Sequence, residues 1–298
     1  MSQQTGLTEK KPVEGGIGGT GIVGTLTDFG SLVINGLKVE TDQATRVTDA
    51  FGEHGIETLA IGQNLTIEAE TSEGQLVARR VHITHPVIGT VEQISADGRS
   101  AQIAGVPVDL ESSAFGRLSV GERVAISGVW RGERIVASRV DSLKDPGSDA
   151  LAGVFRTTPE LGMTIGGRPV SIAKDTEPAD GSFVTAIGRA DQDGFIVEDL
   201  TVGRFTGAAG ALSDLSVEGY LETADTAPFY AVSGLGHSFD PKAKLRPFLA
   251  DRNLFTGRYV GTFAVEAATR LPEDLEQRRT IIREILAGGG SDLSRPAR

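Results

Sequence analysis

Short apolar runs alternating with polar residues dominate this chain. Leu65-x-Ile67-x-Ala69 and Val124-x-Ile126 put every second side chain on one face, as a half-buried antiparallel strand requires. Between such runs stand Asn35-Gly36, Ala104-Gly105, Gly166-Gly167 and Ser233-Gly234. Glycine there supplies the positive φ of a tight hairpin, and Asn-Gly is the strongest two-residue hairpin signal. Acidic or glycine tips at Glu73-Gly74, Arg131-Gly132 and Asp193-Gly194 close a second set of hairpins.

These elements recur. VARRV (Val77 to Val81) returns as VASRV (Val136 to Val140), and aligning on them exposes a unit that starts at Gly24, Gly89, Gly153 and, more loosely, Gly219, about 65 residues apart. Each unit reads as a strand, a hairpin pair, a longer connection and a second hairpin pair. Five strands with a connection between the third and fourth is the order of an OB-type barrel; a three-stranded meander followed by a separate hairpin is the alternative. The expected fold is mainly β: tandem small antiparallel OB-like β-barrels with a short C-terminal α-helix. The divisions are a flexible glycine-rich leader over 1–20, repeats over 21–85, 86–146 and 147–207, a divergent fourth over 208–271, and a helix and tail over 272–298. Units of ~60 residues bury only about 60% of their unfolded surface, so neighbouring barrels are expected to touch.

The helix is predicted from Leu271-Pro272-Glu273-Asp274, with proline in the first turn and acids near the positive end of the dipole. Leu275, Ile282, Ile285 and Leu286 form one stripe, while Arg278, Arg279 and Arg283 face elsewhere. It docks on the last barrel or binds a partner.

Composition narrows the chemistry. Glycine makes up 39 of 298 residues, which is roughly double the usual frequency, and suits many short strands with tight turns. The formal charge of −11 repels phosphate backbones and disfavours nucleic acid as a partner. Without cysteine there is no disulfide, thiolate metal site or cysteine nucleophile. No apolar run approaches the ~20 residues that span a bilayer, so no transmembrane segment is expected. The opening MSQQTGLTEKKPVEGG lacks the apolar core of a signal peptide.

The motifs that suggest chemistry lack their contexts. Gly16-x-Gly18-x-x-Gly21 copies a dinucleotide fingerprint, but a polar leader precedes it and a β-rich segment follows, so no helix N-terminus meets a pyrophosphate. Asp28-Phe29-Gly30 matches the kinase magnesium triplet without a catalytic loop or lysine strand, and reads as a turn. His82 and His85, three apart on a strand, point to opposite faces; His54 and His237 are isolated. Asp42, Asp49, Asp97, Asp191 and Asp193 sit in loops as solvating acids. No cofactor and no catalytic or metal-binding residue is assigned. The weak ligand-binding candidates are Trp130, the one tryptophan, and Arg131, beside a tip that helps line the ligand face of OB folds. Packing of Trp130 against an adjacent barrel is the alternative.

The stretch GGIGGTGIVGTLTDFGSLVINGLKVETD resembles a bacterial domain-of-unknown-function family whose members carry a GIGGTG leader before tandem small barrels. The similarity is close over Gly15 to Asp42, continues through Leu59 to Gln63 and the V-A-x-R-V strands, and fades after the second unit. It implies an OB-like fold and no established activity or ligand. Members often follow an export signal or lipid anchor; this chain shows neither, so either its start is incomplete and it is periplasmic or exported, or it stays in the cytoplasm. The expected function is non-enzymatic: a modular binding or scaffolding protein of the bacterial envelope, with an unknown protein, small-molecule or glycan ligand. An OB-type nucleic-acid binder is the alternative.

Overall fold

The structure, a computed structural model, describes residues 18–110, 118–144, 147–173, 177–223, 230–235, 238–239 and 250–287. The first repeat comprises β1 (Gly19–Asp28), β2 (Leu32–Ile34), β3 (Leu37–Glu40), the short β4 (Arg46–Thr48) and β5 (Glu53–His54), then β6 (Asn64–Ser72) and β7 (Gln75–Ile83). β1 pairs with β2 and β6, β2 with β3, and β6 with β7, all antiparallel. β3 then pairs in parallel with β7, and that contact closes a five-stranded OB-like barrel. A meander plus separate hairpin would lack it. The expected leader boundary at residue 20 falls inside β1, because strand pairing with Ala69 already begins at Thr20. Most of the glycine-rich leader lies outside the described residues.

The second repeat repeats this order with β8 (Val87–Ile94), β9 (Ser100–Ile103), β10 (Val106–Asp109), β11 (Arg123–Arg131) and β12 (Arg134–Ser142). It closes through the parallel pair of β10 and β12. The third, with β13 (Asp149–Thr158), β14 (Gly162–Ile165), β15 (Arg168–Ser171), β16 (Phe183–Ala190) and β17 (Phe195–Val202), closes through β15 and β17. The divergent fourth has β18 (Leu212–Thr223), β19 (Tyr230–Val232), β20 (Ser238–Phe239), β21 (Arg252–Tyr259) and β22 (Phe263–Arg270). Among the described residues β20 and β22 come into contact but do not pair.

The recurring glycines have a steric cause. A Cβ on Gly24 would lie 2.2 Å from Asn35 Oδ1, and one on Gly89 2.6 Å from the Ala104 Cβ. In the first two repeats the first strand passes so close under the first hairpin tip that a side chain does not fit, and at Gly153 in the third the space is tight, with the nearest atom at 3.1 Å. The tips at Asn35-Gly36 and Ala104-Gly105 carry positive φ at both residues, as a type I′ turn demands. The tip expected at Arg131-Gly132 is one residue later: Arg131 still pairs with Arg134, and Gly132 and Glu133 make the turn. The fifth barrel strand of every repeat also bulges at an equivalent place, with Arg79, Ser138, Glu198 and Glu266 as the extra residues.

The repeats do not stack in simple sequence order. β8 pairs antiparallel with β13, and Val87, Ile126, Leu151, Phe155 and Phe195 belong to one core spanning the second and third barrels. β1 pairs in parallel with β18, from Gly19 opposite Leu212 to Val23 opposite Val217, so the first and fourth barrels share a sheet. Asn35 ties that seam, its Nδ2 donating to the carbonyls of Val23 (3.0 Å) and Ser216 (3.2 Å). Val129, Val136 and Tyr220 join the second barrel to the fourth.

Helix α1 (Leu275–Ala287) begins where the Asp274 carboxylate accepts the Gln277 N–H (2.9 Å). It docks within the molecule: Arg279 donates to the Thr27 carbonyl (2.8 Å), Arg283 pairs with Asp28 (2.7 Å), and Ile282 is buried. Arg278 departs from expectation, since it is buried instead of facing away from the packed side. It lies 3.5 Å from Glu218 Oε1, which also accepts from Arg252 Nη1 (2.7 Å), and this ion pairing allows a charged residue on the packed side. The side chains of Ile285 and Leu286 lie outside the described residues. No helix among the described residues is long and apolar enough to cross a membrane.

Candidate functional site

Strand alternation decides which side chains of the first barrel face outward. On β7, Ala78, Val81 and Ile83 enter the core, which leaves Arg80 and His82 outside; on β6, Leu65, Ile67 and Ala69 enter, which leaves Thr66 and Glu68. The register aligns these into two cross-strand rows. Thr48, His82 and Thr66 form one, and Arg46, Arg80 and Glu68 the other. The third barrel presents its own outer row, with Thr185 on β16 opposite Thr201 on β17.

These two outer faces enclose a cleft of about 430 Å³, lined by Thr48, Thr66, Arg80, His82, Thr84, Phe183, Thr185 and Thr201 together with the linker Gly203 to Thr206. The loop carrying Asp49 and the exposed Phe51 forms its rim. Glu68 fixes the linker: its Oε1 accepts from the Thr206 N–H and hydroxyl (both 2.7 Å), and its Oε2 from the N–H groups of Gly207 (2.7 Å) and Ala208 (2.8 Å). The side chain is fully buried.

Arg204 is the centre of the arrangement. Its Nε donates to the Gly234 carbonyl, its Nη1 donates to Thr66 Oγ1 (2.8 Å), and its Cζ lies 3.8 Å from the centroid of the Phe183 ring. One side chain from the linker thus touches the first, third and fourth barrels. Burial pulls its pKa down to about 9, with no carboxylate to oppose the effect. Burial, helped by the charges of Arg80 and Arg204, pushes His82 down to about 3, so the imidazole is neutral at pH 7, and its Nδ1 shares a hydrogen bond with Thr48 Oγ1 (2.9 Å).

A second, smaller cleft of about 190 Å³ lies where the second, third and fourth barrels meet, and Trp130, Arg156, Leu161 and Glu222 help to line it. Burial pushes the Glu222 carboxyl up, against the pull of Arg156. Trp130 is itself buried and donates from Nε1 to the Ala152 carbonyl (2.8 Å), so it packs the second barrel onto the third. Arg131 pairs with Asp109 (2.9 Å), and its guanidinium lies 5.7 Å from the centroid of the Tyr220 ring.

The sequence-derived candidates are dispersed. His82 lines the larger cleft, His85 is half-buried and does not line it, His54 pairs with Asp49 (2.9 Å), and His237 lies outside the described residues. Among the described residues no group of three or more His, Cys, Asp or Glu is placed to hold a metal ion. The loop acids organise turns: Asp49 accepts from the N–H groups of Phe51 and Gly52, and Asp191 from those of Asp193 and Gly194. The threonine rows and Arg204 were not singled out from the sequence. The one signal was Arg204 itself, the only charged residue between Asp199 and Asp214.

Residues 20–82 and 88–141, which lie within the first two barrels, match the family model of DUF5666, a domain of unknown function. The chain is similar to that family over those two copies. No curated protein and no solved structure matches the chain.

Proposed function

We propose that this chain is a non-enzymatic binding protein whose four β-modules are locked into one scaffold, and that the cleft between the first and third barrels holds a small polar ligand. The observation that carries the reading is the cleft. Its volume lies in the range typical of small-molecule sites, and threonine hydroxyls, two guanidiniums, one imidazole and aromatic rings converge on it. The imidazole supports binding over proton transfer, because a group with a pKa of about 3 offers hydrogen bonds and not a proton near neutrality. The envelope location is part of the same proposal: it rests on the resemblance of Gly15 to Asp42 to a family whose members often follow an export signal or lipid anchor, and the cytoplasm is the alternative.

Thermal unfolding of the full chain against a panel of sugars, amino acids, carboxylates and phosphates tests this. At least one compound is expected to raise Tm by a few degrees, as ligand in excess over Kd stabilises the native state by ~2–4 kcal/mol. Thr185→Trp, which fills the cleft from a half-exposed position, should fold and lose the shift. A panel with no stabilising compound, or a shift that survives in Thr185→Trp, would overturn the reading.

A further inference from the structure

The charges of the cleft are unevenly engaged: Asp49 is held by the N–H groups of Phe51 and Gly52 and by His54, and Glu53 pairs with Arg46, while the guanidiniums of Arg80 and Arg204 are less fully matched. Glu68 is the carboxylate within reach of its arginines, and four donors from Thr206, Gly207 and Ala208 already engage it. Arg80 reaches it at only 3.4 Å, through Nη1, which also donates to the Arg204 carbonyl (3.2 Å). Among the described residues Arg204 donates only to neutral groups: the Gly234 carbonyl, the Thr66 hydroxyl and, at 3.4 Å, the Thr84 hydroxyl. The Nη2 groups of both arginines make no hydrogen bond among the described residues and are not sealed from solvent. A desolvated guanidinium facing neutral groups is costly, and an anion beside it removes that cost.

We propose that the cleft between the first and third barrels is an oxyanion site, in which Arg80 and Arg204 take the phosphate or carboxylate group of a small molecule and the threonine hydroxyls of Thr48 and Thr185 orient it. This rests on the binding reading above and adds the charge of the ligand. The geometry suits it. Guanidinium N–H groups donate to oxyanions in pairs, and hydroxyls adapt to either end of the ligand. The neutral His82 completes the wall without competing for the anion as a second counter-charge. Arg46, the other cation on these rows, is engaged by Glu53 (3.5 Å) at the exposed edge. The chain as a whole carries a formal charge of −11. Exposed charges more than about 8 Å away are screened at physiological salt, so the local guanidiniums decide which ligand enters.

The test is calorimetric titration of the full chain with inorganic phosphate, acetate and a neutral sugar, each at matched ionic strength in sodium chloride. Phosphate or acetate is expected to bind measurably above the chloride background. Arg204→Gln should weaken that binding at least tenfold, as loss of a charged hydrogen bond commonly does. Because Arg204 also ties barrels together, Thr201→Asp serves as the second variant. Thr201 is exposed at the cleft wall, so the fold should survive, as circular dichroism would verify, while the added carboxylate repels the anion and abolishes binding. Thr201→Asn, which adds similar bulk without the charge, should weaken binding far less than Thr201→Asp. Anion binding that persists in folded Thr201→Asp overturns the assignment. If the sugar binds and neither anion does, the charge assignment fails and the binding reading stands. If nothing binds, both fail.

Discussion

Glu218→Gln is expected to destabilise the protein by about 3–5 kcal/mol at pH 7, the usual cost of removing one partner from a buried charge network. Glu218 on β18 is buried with Arg252 and Arg278, and its Oε2 accepts the Thr25 N–H of the first barrel (2.7 Å). Arg252 continues through its Nε to Glu273 (3.0 Å), which also accepts the Tyr220 hydroxyl (2.6 Å). The network therefore joins the first barrel, the fourth barrel and the start of α1, and glutamine would leave two guanidiniums buried without their shared anion. Burial pushes the Glu218 carboxyl up, but Arg278 and Arg252 outweigh it and hold the pKa at about 2, below the ordinary 4.5. This contribution is complete above pH 4.5 and is lost as pH falls towards 2. His82 acts in a higher window. The unfolded imidazole takes up a proton near pH 6.5 and the folded one only near 3, so stability declines from pH 6.5 downward. Urea unfolding midpoints across pH should thus fall gradually below 6.5 and more steeply below 4.5. In Glu218→Gln the fall below 4.5 should become shallower, leaving the part owed to other paired carboxylates such as Asp109, and the first component should persist. A variant as stable as the wild type at pH 7 would contradict the network's role.

The second large effect is expected from Glu68→Gln, at about 3 kcal/mol or more, because an amide NH₂ would face N–H groups arranged for an anion. Three successive backbone N–H groups, from Thr206 to Ala208, converge on this carboxylate. Its loss frees the linker that carries Arg204, so the damage extends to the cleft. Hydrogen exchange at these three amides should speed up markedly, while amides of the second barrel core stay protected. Unchanged exchange at Thr206 to Ala208 would show that the carboxylate does not hold the linker.

The module was legible in the sequence because its determinants are local. Asn35-Gly36 must adopt positive φ, Gly24 must pass beneath it, and Leu65, Ile67 and Ala69 must alternate inward, whatever the rest of the chain does. The arrangement of the modules was not legible, since no short-range signal marks the first half of β1 for parallel pairing with a strand nearly two hundred residues away. Alternation treats Thr66, His82 and Thr185 as solvent-facing, which holds within each barrel; they become a site only because two barrels face each other. Arg278 was placed on the solvent side of α1 for a similar reason. Helical periodicity cannot see that Glu218 waits on a distant strand to neutralise it.

All of these expectations depend on the first and fourth repeats sharing a sheet, and a cross-link tests that most directly. The chain has no cysteine, so Thr20→Cys with Asp214→Cys introduces the only thiols, at positions paired across β1 and β18. Paired strands hold Cα atoms within the span a disulfide bridges, about 4.4–6.8 Å. Mild oxidation of the folded protein should join the two residues within one chain and fail to do so in urea. Two thiols that stay free and reactive in the folded protein would show that the first and fourth repeats do not share a sheet.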